Sequence, residues 1–124
     1  MKTLTLIALL LISFTATAKT EITDQFICRA VISTLYNPKI EDVYSYDVSE
    51  GYIHVTHKTT ADTRYHSKCK VAADTKSILW GNVDGIWRTR AMDEQISYEY
   101  NKPKLTIVIT YHDLSQTKKE FIVK

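Results

Sequence analysis

The sequence predicts an α+β domain in which one N-terminal helix packs on a curved antiparallel sheet of about seven or eight short strands, held by one disulfide. Three observations carry this. Apolar residues recur at helical spacing from Ile27 to Leu35, and from Val43 onward the apolar period becomes two. Only two cysteines occur, Cys28 in the helical stretch and Cys69 in an alternating one. Connections between the alternating stretches are too short for parallel crossovers, so a meander is expected.

Residues 1–18 are set apart. Lys2 supplies a positive charge, Leu4 to Phe14 is nearly all apolar, and Ala16-Thr17-Ala18 has the small residues a signal peptidase accepts. The apolar block is too short to anchor stably in a bilayer. It reads as a cleavable signal peptide, leaving 19–124 as a single domain in the periplasm or extracellular space with no membrane anchor after cleavage. The signal takes only Lys2 from 16 basic side chains, against 14 acidic ones. So balanced a chain has no global reason to seek nucleic acid. In an oxidising compartment a lone cysteine pair has one possible connectivity, so Cys28 and Cys69 are expected to bond. Neither a C-x-x-C redox pair nor short zinc-ligand spacing is present.

Each element has a local reason. A helix is expected at about 24–36: Ile27, Val31 and Leu35 make its stripe, Thr23 or Asp24 can cap it, and Asn37-Pro38 stops it. Val43–Val48 is a tyrosine-rich strand, and Ser49-Glu50-Gly51 turns the chain. In the next strand Ile53 and Val55 share one face and Tyr52, His54 and Thr56 the other. In the strand after, Tyr65, Ser67, Cys69 and Val71 oppose His66, Lys68 and Lys70. Ile78-Leu79-Trp80 is a compact strand, and Ile86–Arg90 is expected to return as another. Ile96, Tyr98 and Tyr100 alternate, Leu105–Tyr111 is the most β-prone stretch, and Lys118–Lys124 closes the chain.

Several constellations could carry chemistry. His54 and His57 should face opposite ways, and His66 can neighbour either, giving a two-histidine site. A catalytic zinc needs a third ligand and an open position, so solvated sheet-face histidines are the default, and no metal or cofactor is expected. Glu41, Asp42, Asp47 and Glu50 are threaded with Tyr44, Tyr46 and Tyr52, a carboxylate and aromatic mixture that sugar-processing sites use and solvated hairpins share. His112-Asp113 with Ser115 supplies triad residue types in a turn. A small secreted hydrolase would draw on His54 or His112 with Glu50 or Asp113. A structural subunit of an envelope assembly, joined through a β edge, is a further alternative.

The most suggestive feature is basic. Arg64, His66, Lys68 and Lys70 fall on one strand face, and Arg88 and Arg90 share a face on a later strand beside Trp87. A basic, aromatic-edged surface suits an acidic protein partner, although lysines on a sheet also suppress aggregation. The function expected is that of a non-enzymatic binding protein of the periplasm or extracellular space, inhibitor-like or immunity-like, contacting a protein there through these residues.

Overall fold

The computed structural model describes residues 22–47 and 51–124. The expected signal peptide at 1–18, Val48 and the expected turn at Ser49 and Glu50 lie outside the described residues.

Helix α1 spans Asp24–Tyr36. It starts where Thr23 adopts extended backbone and its Oγ1 accepts from the Phe26 amide at 3.1 Å, satisfying one of the four amides a helix N-terminus leaves open. It ends where Asn37 enters the left-handed region at φ 71° and donates its backbone N–H to Ser33 O at 2.9 Å. Asparagine tolerates that conformation better than most side-chain-bearing residues. The buried stripe comprises Ile27, Cys28, Ala30, Val31, Ile32 and Ser33.

A 3₁₀ turn at Ile40–Asp42 leads into seven strands: β1 Val43–Asp47, β2 Ile53–Lys58, β3 Arg64–Ala72, β4 Ser77–Asn82, β5 Gln95–Asn101, β6 Lys104–Thr110 and β7 Gln116–Ile122. They pair in chain order, all antiparallel, as one meander curved into a half-barrel around the helix. The register decides each residue's face. Val55 opposes Ser67, and Ile53 opposes Cys69, which opposes Trp80. These side chains meet α1, with Leu105, Ile107 and Ile109 of β6 and Phe121 of β7 completing the core. The expected staple is present: Cys28 and Cys69, both fully buried, are bonded with Cα atoms 5.9 Å apart. Lys119 of β7 brings its ammonium to within 3.4 Å of Ser33 O and 3.5 Å of Asn37 Oδ1, placing a cation where the helix dipole is negative.

One expected strand is not there. Residues 86–90 form no strand, and β4 and β5 share only the Ser77–Ser97 and Ile78–Ile96 pairs. Beyond Ile78 the sheet splits, and the chain from Val83 to Glu94 fills the gap. The Arg88 amide donates to Trp80 O at 2.8 Å, capping an otherwise open edge of β4. Local alternation suggested a strand here, but Arg88 and Arg90 are drawn to carboxylates a few residues ahead, and the segment folds back on itself.

Candidate outer-face binding site

The face of β1–β4 turned away from α1 is built on the β2–β3 hairpin. Its loop is closed by the Thr59 amide donating to Thr63 O at 2.7 Å, while Thr59 Oγ1 accepts from the Ala61 and Thr63 amides. Those bonds set Lys58 opposite Arg64, and period-two alternation then turns Arg64, His66, Lys68 and Lys70 all outward. Tyr44 and Tyr46 of β1 point the same way, each about half exposed at 52% and 50%. Among the described side chains, none of the outward residues of β1–β4 is acidic. Lys58, at the hairpin end, is paired with Asp62 at 2.8 Å.

Arg64 donates to Thr56 Oγ1 at 3.0 Å and lies over the Tyr44 ring at 5.9 Å. His54 and His66, a diagonal pair across β2 and β3, bring Nε2 and Nδ1 to 3.0 Å. Lys68 donates to Gly85 O at 2.7 Å and sits 4.5 Å from the centre of the Trp87 ring. Tyr52 meets Trp87 edge-on at 5.9 Å. Lys70 is exposed. Gly81 makes the Trp87 position possible: a Cβ there would stand 2.6 Å from Ile86 O, so only glycine lets the returning loop lie this close to β4.

Of the seven residues the sequence singled out, Arg64, His66, Lys68, Lys70 and Trp87 come together on this face. Arg88 and Arg90 do not join them. Arg88 lies over the Trp80 ring at 5.4 Å and is bound by Glu94 through Nε at 2.7 Å and Nη2 at 3.0 Å, with Asp93 at 3.1 Å. Trp80 Nε1 donates to the same Glu94 carboxylate at 2.7 Å. Arg90 forks onto Asp93 through Nε and Nη2. The Arg88 hydrogen bonds hold the Glu94 carboxyl below the usual carboxylate range against the opposing effect of burial, and Arg90's side-chain and backbone hydrogen bonds do the same for Asp93. These two arginines clamp the split sheet, and their charge is spent there.

The chain matches no family model, no curated protein and no solved structure.

The other sequence constellations disperse. His57 is 3% exposed, beneath Tyr36 and beside Tyr65, with Nδ1 unpaired. Solvated sheet-face histidine is therefore the wrong description for it: it shares the inward parity of Val55, and burial followed by the nearby Arg64 charge lowers its pKa. Tyr44 and Tyr46 look outward, beside Arg64 and His54 respectively. Asp113 Oδ1 accepts from the Ser115 amide at 3.0 Å and its hydroxyl at 2.6 Å, a turn-forming arrangement in the β6–β7 connection. His112 shares that turn, far from His54 on the second strand, and Glu50 lies outside the described residues. Among the described residues no three His, Cys, Asp or Glu side chains converge as metal ligands, and no helix is long and apolar enough to cross a membrane.

Proposed function

We propose that this protein is exported and acts as a non-enzymatic binding protein, engaging an acidic protein surface through the outer face of β1–β4. One observation carries the reading: Arg64, Lys68 and Lys70 stand on one sheet face whose described outward strand residues include no carboxylate, bordered by the rings of Tyr44, Tyr46 and Trp87, with Asp84 in the adjoining loop. Arg88 and Arg90, by contrast, are bound to carboxylates, and Lys58 at the hairpin end of the same face is paired with Asp62. Uncompensated charge next to amphipathic aromatic rings is what a complementary acidic interface uses: the charge speeds and orients encounter, and the rings supply desolvated contact. The signal-like segment and the Cys28–Cys69 bond support a role in an oxidising compartment. Size and location suit an inhibitor or immunity protein directed at another envelope or extracellular protein.

The test is capture from cell-envelope and culture-medium extracts with the oxidised protein, followed by the K68E/K70E double variant. Reversal of both charges should weaken the captured partner by on the order of tenfold, mostly through slower association, and raised salt should mimic it. Undiminished capture by K68E/K70E removes this face from the function.

A further inference from the structure

We propose that His54 and His66 form a binding site for a divalent transition-metal ion, copper(II) or zinc(II), on the outer face. The inference does not rest on that face binding a protein.

The geometry is that of a two-nitrogen bite. Nε2 of His54 and Nδ1 of His66 stand 3.0 Å apart, with rings tilted at 69°. Two nitrogens bound to one ion at about 2.0–2.1 Å and near a right angle are separated by about 3 Å. In the free protein this contact is a hydrogen bond between the two rings; an ion beside the N···N line would replace it, with both rings turned about their side-chain torsions to direct their lone pairs at the ion. In the tautomers that do so, each ring carries its proton on the outer nitrogen. The near-right angle favours the tetragonal preference of copper(II) over the tetrahedral one of zinc(II).

The rings are positioned by the fold. Antiparallel register makes them diagonal neighbours on two adjacent strands, and the Tyr46 ring meets His54 edge-on at 5.5 Å. Burial and then the neighbouring His66 lower the pKa of His54, with Asp84 opposing. Asp84 also lines, with His66 and Arg64, an open cleft beside the site and supplies a counter-charge to a cation. Two cations flank the pair: Arg64, whose guanidinium is held on Thr56, the residue opposite His66, and Lys68, opposite His54 in register. Its ammonium is turned away to Gly85 O and the Trp87 ring. With two protein nitrogens, the remaining coordination positions belong to water or to a ligand brought from outside.

The experiment is titration of the oxidised protein at neutral pH with copper(II) chloride and, separately, zinc(II) chloride, read by calorimetry and, for copper, by nitrogen hyperfine structure in the electron paramagnetic resonance spectrum. One ion per chain with two imidazole nitrogens is expected. H54Q and H66Q should each weaken binding by about tenfold or more, and H112Q, in the β6–β7 turn, should leave it unchanged. Native-like circular dichroism of the three variants separates ligand loss from unfolding. Absence of saturable uptake, or equal uptake by native protein and the folded H54Q and H66Q variants, overturns the site.

Discussion

Replacing Glu94 should unfasten the split in the sheet, and the structure gives the size of the effect. The carboxylate accepts three short hydrogen bonds, from Trp80 Nε1 and from Nε and Nη2 of Arg88. Its side chain is 12% exposed and that of Arg88 35%. In E94A the buried indole N–H loses its acceptor, a loss of about 1–3 kcal/mol. Arg88 keeps Asp93 and reaches water, so its share is smaller, about 1 kcal/mol or less. The expected destabilisation is about 1–4 kcal/mol. E94Q keeps a carbonyl oxygen for the indole and should cost less than E94A. The assay is urea unfolding followed by tryptophan fluorescence, with E94A, R88A and the double variant forming a cycle. A coupling well above the roughly 0.3–0.5 kcal/mol scatter of independent sites is expected.

The pH dependence follows from the same contacts. The folded-state pKa of Glu94 lies below its unfolded value because of the Arg88 hydrogen bonds. Its contribution is therefore fully present above the unfolded carboxyl pKa and is lost as pH falls through the folded one. E94Q should lack this part of the acid limb. An E94A loss under about 0.5 kcal/mol, or additive single variants, would refute the reasoning, since it would mean that water replaces the clamp without cost.

Two further outcomes concern the scaffold. C28A/C69A should lower stability to urea by about 4 kcal/mol, the chain-entropy value for a closed loop of this length, and a loss below about 1 kcal/mol would deny the staple its role. G81A should cost about 1–3 kcal/mol because its Cβ meets backbone at Ile86; by displacing Trp87 it should also weaken partner capture, and a variant native in both respects would show that the loop docks loosely.

How far the sequence carries depends on the distance over which a feature is decided. The Asp24–Tyr36 helix, its Thr23 cap and its stop at Asn37-Pro38 are legible because capping and periodicity act within a few residues. The outward turn of Arg64, His66, Lys68 and Lys70 is legible because alternation is local. The segment 86–90 alternates like a strand but is a loop, because its arginines find carboxylates ahead of them. The burial of His57 is not evident from its polar side chain, although its parity with Val55 points inward.

By itself, then, the sequence determined the helix, the seven strands that form, the alternating faces of most of their residues and the only possible cysteine pairing. The tertiary structure decided which cations stay free and which histidines meet. Arg88 and Lys70 both read as exposed basic residues beside a β-rich stretch. One is neutralised by Glu94 and Asp93 beside the split, while the other faces outward among described strand residues that include no carboxylate. Alternation and capping are settled between residues a few positions apart, whereas the partner of a charge or an imidazole is whatever the folded chain brings within a few ångströms of it.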